Sequence, residues 1–196
     1  MSARDIMPWN SAHGGTYRAT VGYMNASETF FVGEPVKING DGEIEESDDP
    51  PTAPQLFGIA AIGPGDAGTI TNKRTGTTTW SEGEEIPVWV PEPGMQWITS
   101  NWTVAGTAFD DTPPVLTDIG EICGLIEIGG VWGLDNGPAA NTNTCRVVDI
   151  LDDMKNTIVR PGATDIALAV GDTYYVVFEI VSHMGTPDSG EATAPA

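Results

Sequence analysis

The chain is short of positive charge, of sulfur, of histidine and of leucine, and each shortage excludes a class of protein. Eight lysines and arginines stand against 28 aspartates and glutamates in 196 residues, a formal net charge of −20. Nucleic-acid binding rests on neutralising phosphates, so no nucleic-acid partner is expected. Cys123 and Cys145 are too few for a disulfide framework and lack the paired spacing of a zinc site. They read as reduced core thiols, with a single disulfide between them as the alternative in an oxidising medium. The two histidines, His13 and His183, have no nucleophile in a recognisable setting, and there is no GxSxG elbow. No apolar run reaches membrane-spanning length, and the first residues lack the charged-then-apolar pattern of a secretory signal. A protein made in the cytoplasm, without a membrane partner, is the expectation.

What the chain does contain favours pleated surfaces. Ile (16) and Val (15) far outnumber Leu (6), and 24 glycines with 15 prolines supply frequent turns. An all-β fold follows. Phe30, Val32, Val36 and Ile38 are apolar at alternate positions, and Asn39-Gly40-Asp41-Gly42 is a tight-turn signal after them. Residues 56–62 read as a buried strand, and 86–91 as another. Pro87 and Pro91 cannot donate ladder bonds, which predicts an edge or a bulge for that last strand. Tyr17, Ala19, Val21 and Tyr23 alternate with Arg18, Thr20 and Gly22. Further on, residues 119–134 read as two short strands turning at Gly129-Gly130, and 145–151 and 173–181 as two more. Ile150, Met154 and Ile158 also share a helical face, so a short helix over 149–157 competes with the strand.

This punctuation predicts two small β-barrel or β-sandwich-like units: an extended N-terminal arm (1–16), a first domain (17–104), a linker (105–118), a second domain (119–183) and a disordered tail (184–196). The arm is apolar yet unpatterned, through Ile6, Met7 and Trp9, and is expected to be dispensable for folding.

Candidate chemistry is sparse. Asn39, Asp41 and Glu43 alternate like the start of a calcium loop, but Ile44 occupies the position that needs glycine, and a solvated acidic loop over 41–49 is preferred. Gly63-Pro64-Gly65-Asp66-Ala67-Gly68 matches GxGxxG but leads into a β-branched run rather than a helix, so no dinucleotide is expected. Glu121, Glu127, Asp149 and Asp152 are the carboxylates among which a glycosidase pair would have to be found. Six tryptophans, Trp9, Trp80, Trp89, Trp97, Trp102 and Trp132, either stack sugars or fill cores and interfaces. No catalytic residue, cofactor or metal is assigned.

The segments Gly33-Glu34-Pro35-Val36-Lys37-Ile38, Gly40-Asp41-Gly42, Leu56-Phe57-Gly58-Ile59-Ala60 and Glu84-Glu85-Ile86-Pro87-Val88-Trp89-Val90 resemble small β modules of tailed-bacteriophage capsid decoration, or cement, proteins. Ile119-Gly120-Glu121-Ile122-Cys123-Gly124-Leu125 and Arg146-Val147-Val148-Asp149-Ile150 are similar to the later part of such head proteins. The resemblance implies a non-enzymatic virion protein on the capsid exterior, made in the host bacterial cytoplasm. Its implied partners are the major capsid protein and further copies of itself, in a homo-oligomer such as a trimer. On this reading Arg4, Ile6, Met7, Trp9, His13 and Arg18 are capsid-contact candidates. Pro87, Trp89 and Pro91 are self-association candidates. A tail-associated or surface carbohydrate-binding adhesin is the alternative.

Overall fold

The computed structural model describes residues 6–11, 19–25, 28, 30–51, 56–61, 82–137, 144–154, 157–158 and 167–181. In chain order their strands are β1 (Met7–Ser11), β2 (Ala19–Tyr23), β3 (Pro35–Ile38), β4 (Ile44–Glu46), β5 (Gly58–Ala60), β6 (Glu85–Trp89), β7 (Met95–Thr99), β8 (Trp102–Thr103), β9 (Ile122–Glu127), β10 (Trp132–Asp135), β11 (Cys145–Leu151) and β12 (Tyr175–Ile180). A single 3-10 turn, Leu116–Asp118, is the one helical element among the described residues. The all-β expectation holds.

The strands form a seven-stranded sheet, in the order β1-β7-β12-β11-β9-β10-β8, and a five-stranded sheet, β2-β6-β5-β3-β4. All pairings are antiparallel except β8 with β10. Neither sheet closes into a barrel among the described residues. The small one is drawn round at one end, where an isolated bridge joins Met24, just past β2, to Ile44 at the start of β4.

Alternation along the large sheet sends one set of side chains into the main core and the other to a small cluster on the opposite face. Trp97, Val176 and Phe178 point one way, whereas Ile98 and Val177 point the other. On β11 the inward run starts odd-numbered, with Cys145 and Val147, and continues even-numbered, with Ile150. A register shift between Val147 and Asp149 accounts for the change, because a bulge inserts one residue and reverses the parity beyond it. Ile150 and Ile158 are buried whereas Met154 is 76% exposed, so the three do not share a helical face. The segment is strand as far as Leu151.

Gly129 (φ +61°) and Gly130 (φ +77°) turn β9 into β10 as the only two central residues of a tight hairpin, with Ile128 N donating to Val131 O at 2.9 Å. Positive φ at both central positions matches the twist of the flanking strands, and glycine adopts it without steric cost.

Trp97, Trp102 and Trp132 fill the main core and are fully buried. None of their indole nitrogens has a hydrogen-bond partner. Leaving an N–H unpaired costs about 1–3 kcal/mol, whereas hiding a ring of this size from water is worth roughly 4–6 kcal/mol. Burial therefore outweighs the lost bond at each position.

Two sequence expectations about organisation meet a different arrangement. The strands β7 and β8 fall within the range read as a first domain, yet they pair with strands of the second. Leu56 and Ile59, from around β5, join the main core of the large sheet, so the two sheets share one apolar cluster. Residues 105–118 are likewise bound to the large sheet. Asp111 accepts hydrogen bonds from Thr103 Oγ1 (3.2 Å), Val104 N (3.3 Å) and Ala105 N (3.1 Å), and the Tyr174 hydroxyl donates to Asp110 at 2.6 Å. Composition marked this stretch as a break because aspartate, proline and threonine make good loops. It could not indicate that the carboxylates would bind the loop to its neighbours.

The N-terminal segment is the larger correction. Residues 7–11 form an edge strand on β7, and Ile6 is fully buried in the main core, with its N–H bonded to Gly33 O at 3.1 Å. The period-2 pattern was hidden by Pro8 and by a register shift between Pro8 and Asn10, which leaves Trp9 as the extra residue. Removing this segment is expected to cost stability, because it would take Ile6 out of the main core and a strand off β7. The expected tail, 184–196, lies outside the described residues.

Candidate functional site

The capsid-contact candidates do not gather into one surface. Ile6 is buried, Met7 packs against the cluster on the far face of the large sheet, and Trp9 is 37% exposed. Arg4, His13 and Arg18 lie outside the described residues, as do Trp80, His183 and the GxGxxG stretch.

The self-association candidates separate in the same way. Strand β6 is not an edge strand, since β2 and β5 flank it. Pro87 is tolerated there because β5 ends at Ala60; the next residue, Ala61, donates to the Pro87 carbonyl at 3.0 Å without needing an N–H in return. Pro87 and Trp89 are half-buried, Trp89 against the main core, and Pro91 is buried, so Pro91 has no surface to offer a partner.

The acidic groups act mainly as scaffolding. In the β3–β4 hairpin, Asn39 Oδ1 accepts from Asp41 N (3.0 Å) and Glu43 N (2.9 Å), which commits the first oxygen of the calcium-like pattern to the turn. Lys37 bonds Asp48 at 2.7 Å and Glu45 at 3.3 Å. The Asp48 hydrogen bond, with Glu45 assisting, raises the lysine pKa above its ordinary value despite partial desolvation. Asp49 Oδ1 accepts from Glu127 N at 2.9 Å and ties this hairpin to β9. Among the described residues, no group of three or more His, Cys, Asp or Glu side chains is placed to hold a metal ion.

Of the glycosidase candidates, Glu121 precedes β9 and Glu127 ends it. A strand rises about 3.3 Å per residue, so the two stand roughly 20 Å apart, well beyond the separation of about 5–10 Å that glycoside hydrolysis requires. Asp149 Oδ2 accepts from the Thr157 hydroxyl at 2.8 Å, and Asp152 accepts from Met154 N at 2.9 Å. Both carboxylates brace the turn after β11.

Cys123 and Cys145 are directly paired across β9 and β11, both free and both fully buried. Burial pushes the Cys145 thiol up to about 12, and it pushes Cys123 well above its ordinary value. Neutral, sealed thiols are poor nucleophiles at physiological pH. Burial, followed by the hydrogen bond to Asp110, likewise raises the Tyr174 hydroxyl.

The open surface lies on the face of β2 that carries Val21 and Tyr23. Thr20 and Gly22 of β2 turn inward, while Val21 and Tyr23 are 58% and 56% exposed. The expected alternation is present, and the structure decides its direction. Gly22 gives the reason: a side chain there would collide with Ile44, so the inner side has room only for hydrogen. Across the ladder Val21 faces Pro87 and Tyr23 faces Glu85, and Glu82, Glu84 and Glu85 are exposed alongside. A glycine among larger alternating neighbours was the available sign of the crowded side.

Comparison with protein-family models, with curated proteins and with solved structures gives no match for this chain. What the residues define is an all-β body with a strongly acidic composition and, among the described residues, an edge strand with exposed side chains. No helix among the described residues is long and apolar enough to cross a membrane.

Proposed function

We propose that this is a structural virion protein that binds the outer surface of an assembled bacteriophage capsid and stabilises contacts between major capsid protein subunits. What carries the reading is the resemblance of short sequence segments to capsid decoration proteins, and most of those segments lie in the five-stranded sheet and the strand β11. The division of labour among the side chains supports it. Carboxylates brace loops, the thiols are sealed, and the exposed features are an edge strand and a strongly acidic surface. Such a body suits binding, and its charge keeps unassembled copies apart. The adhesin alternative gains little, because Trp97, Trp102 and Trp132 are core residues and cannot form a stacking platform for sugars.

The test is a low-dose cryo-EM reconstruction of the particles with which the protein co-purifies. Density on an icosahedral shell, bridging capsid subunits, is the expected result. Density on a tail or fibre would replace this reading with the adhesin, and association with no particle would overturn both.

A further inference from the structure

Two Asn-Gly pairs occur in the chain, Asn39-Gly40 and Asn136-Gly137, and the fold treats them in opposite ways. In such a pair the backbone nitrogen of the glycine can attack the asparagine Cγ, because glycine has no side chain to obstruct the approach or to restrict the turning of the backbone. The reaction needs an N–H whose proton nothing holds, a polarised carboxamide and room to move.

Asn39 stands at the turn between β3 and β4, and its Oδ1 accepts from Asp41 N at 3.0 Å and from Glu43 N at 2.9 Å. Both donors lie beyond Gly40, so the carboxamide is folded forward over that residue. Two N–H groups on one carbonyl oxygen draw electrons away from Cγ, and they are in place for the negative charge that attack puts on the oxygen. Gly40 is exposed, its N–H has no acceptor among the described residues, and the space where a side chain would stand is open.

Asn136 is held instead. Its Nδ2 donates to Asp118 Oδ1 at 3.1 Å and its backbone N–H to Thr103 O at 3.0 Å. The Gly137 N–H, whose nitrogen would be the nucleophile, donates to Asp135 Oδ1 at 2.8 Å, and a carboxylate so close disfavours loss of that proton. Gly137 also packs so tightly on Val104 O that no side chain would fit, which leaves its backbone no room to swing toward the carboxamide.

We propose that Asn39 is a site of spontaneous deamidation in the folded protein and that the fold protects Asn136. The Gly40 N–H gives its proton to solvent, the nitrogen bonds to Asn39 Cγ, the bond from Cγ to Nδ2 breaks, and ammonia leaves with a proton from water. One water then opens the cyclic imide at either of its carbonyls, which leaves aspartate or isoaspartate at position 39. In the aspartate product the new carboxylate faces Glu43, whose Oε2 accepts from Asn39 Nδ2 at 3.4 Å before the reaction. A weak hydrogen bond thus becomes a like-charge contact at the end of the β3–β4 hairpin.

The experiment ages the full chain in warm, near-neutral buffer and follows it by peptide mapping, which reads the amide-to-acid mass change at each site, and by an isoaspartyl methyltransferase, which labels isoaspartate. Conversion at Asn39 is expected to exceed that at Asn136 at least about tenfold. In guanidinium chloride, where the fold is gone, the two sites are expected to react at similar rates. Gly40→Ala fills open space without requiring a left-handed backbone, so it is expected to slow conversion at Asn39 about tenfold or more with an unchanged circular dichroism spectrum. Four results would overturn the proposal: Asn136 converting as fast as Asn39 in the folded chain, Asn39 converting in guanidinium chloride but not when folded, the same preference for Asn39 persisting in guanidinium chloride, or conversion at Asn39 untouched by Gly40→Ala.

Discussion

The two edge strands β1 and β2 have five residues each, and they meet solvent in opposite ways. On the large sheet, β1 is irregular, with Pro8 and an extra residue at Trp9, yet the residue leading into it, Ile6, sits fully buried in the main core. On the small sheet, β2 is regular, yet its Val21 and Tyr23 face water. An edge strand is held by one ladder and by whatever layer lies against it, and here only β1 has a large core beneath it. Regularity of pairing and depth of burial are thus independent properties, the first set by the backbone and the second by the neighbouring sheet.

The sharpest way to break this comparison is to truncate one apolar side chain beside each edge. Ile6→Ala is expected to cost about 2–4 kcal/mol, the transfer term plus a cavity, whereas Val21→Ala should stay within about 0.5 kcal/mol because its side chain is already largely in water. Urea unfolding measures both, and similar losses at the two sites would show that Ile6 does not anchor β1.

A smaller effect probes the inner face of β2. A methyl group at Gly22 would collide with Ile44 Cγ1 and come within 2.8 Å of its Cδ1, so Gly22→Ala is expected to cost about 1–3 kcal/mol by overpacking. Adding Ile44→Val should recover part of the loss. A neutral Gly22→Ala in the same unfolding assay would mean that the small sheet is looser around Ile44 than its packing indicates.

The smallest effect near neutral pH, and one confined to the large sheet, concerns the buried thiols. Cys145 ionises near about 12 when folded, against an ordinary value of 9.0, and Cys123 is raised as well. A raised folded value means that the unfolded chain loses its proton first. Stability from these thiols is therefore complete below pH 9 and is lost as pH rises toward 12, by up to about tenfold in the folding equilibrium constant per pH unit per thiol. Replacing both cysteines with alanine should flatten the fall in urea midpoint between pH 9 and 11. An unchanged slope would assign the alkaline loss to other groups.

Much of the strand content was legible because alternation and turn residues act locally. The hairpin of β9 and β10 was readable from Gly129-Gly130, and the strands around Val36, Ile59, Val88, Val147 and Val177 from their apolar runs. Where a bulge and a proline interrupted the period, reading failed and β1 looked like an arm; at the end of β11 an exposed Met154 stood at helical spacing from Ile150 and Ile158 by coincidence. The docking candidates suffered most, since Ile6 and Pro91 looked available for partners and are buried. Within β2 only Gly22 hinted at which of the two faces meets another layer, because both satisfy the same backbone geometry.

By itself the sequence determined the all-β character, the acidic charge and the positions of most turns, for these follow from side-chain branching, ionisation and the freedom of glycine. The tertiary structure alone decided that β7 and β8 join the later strands, that Cys123 and Cys145 face each other, and that Val21 and Tyr23 remain in water. Each of these is a meeting of segments distant in the chain, and it depends on which surfaces pack together rather than on the preference of any one segment.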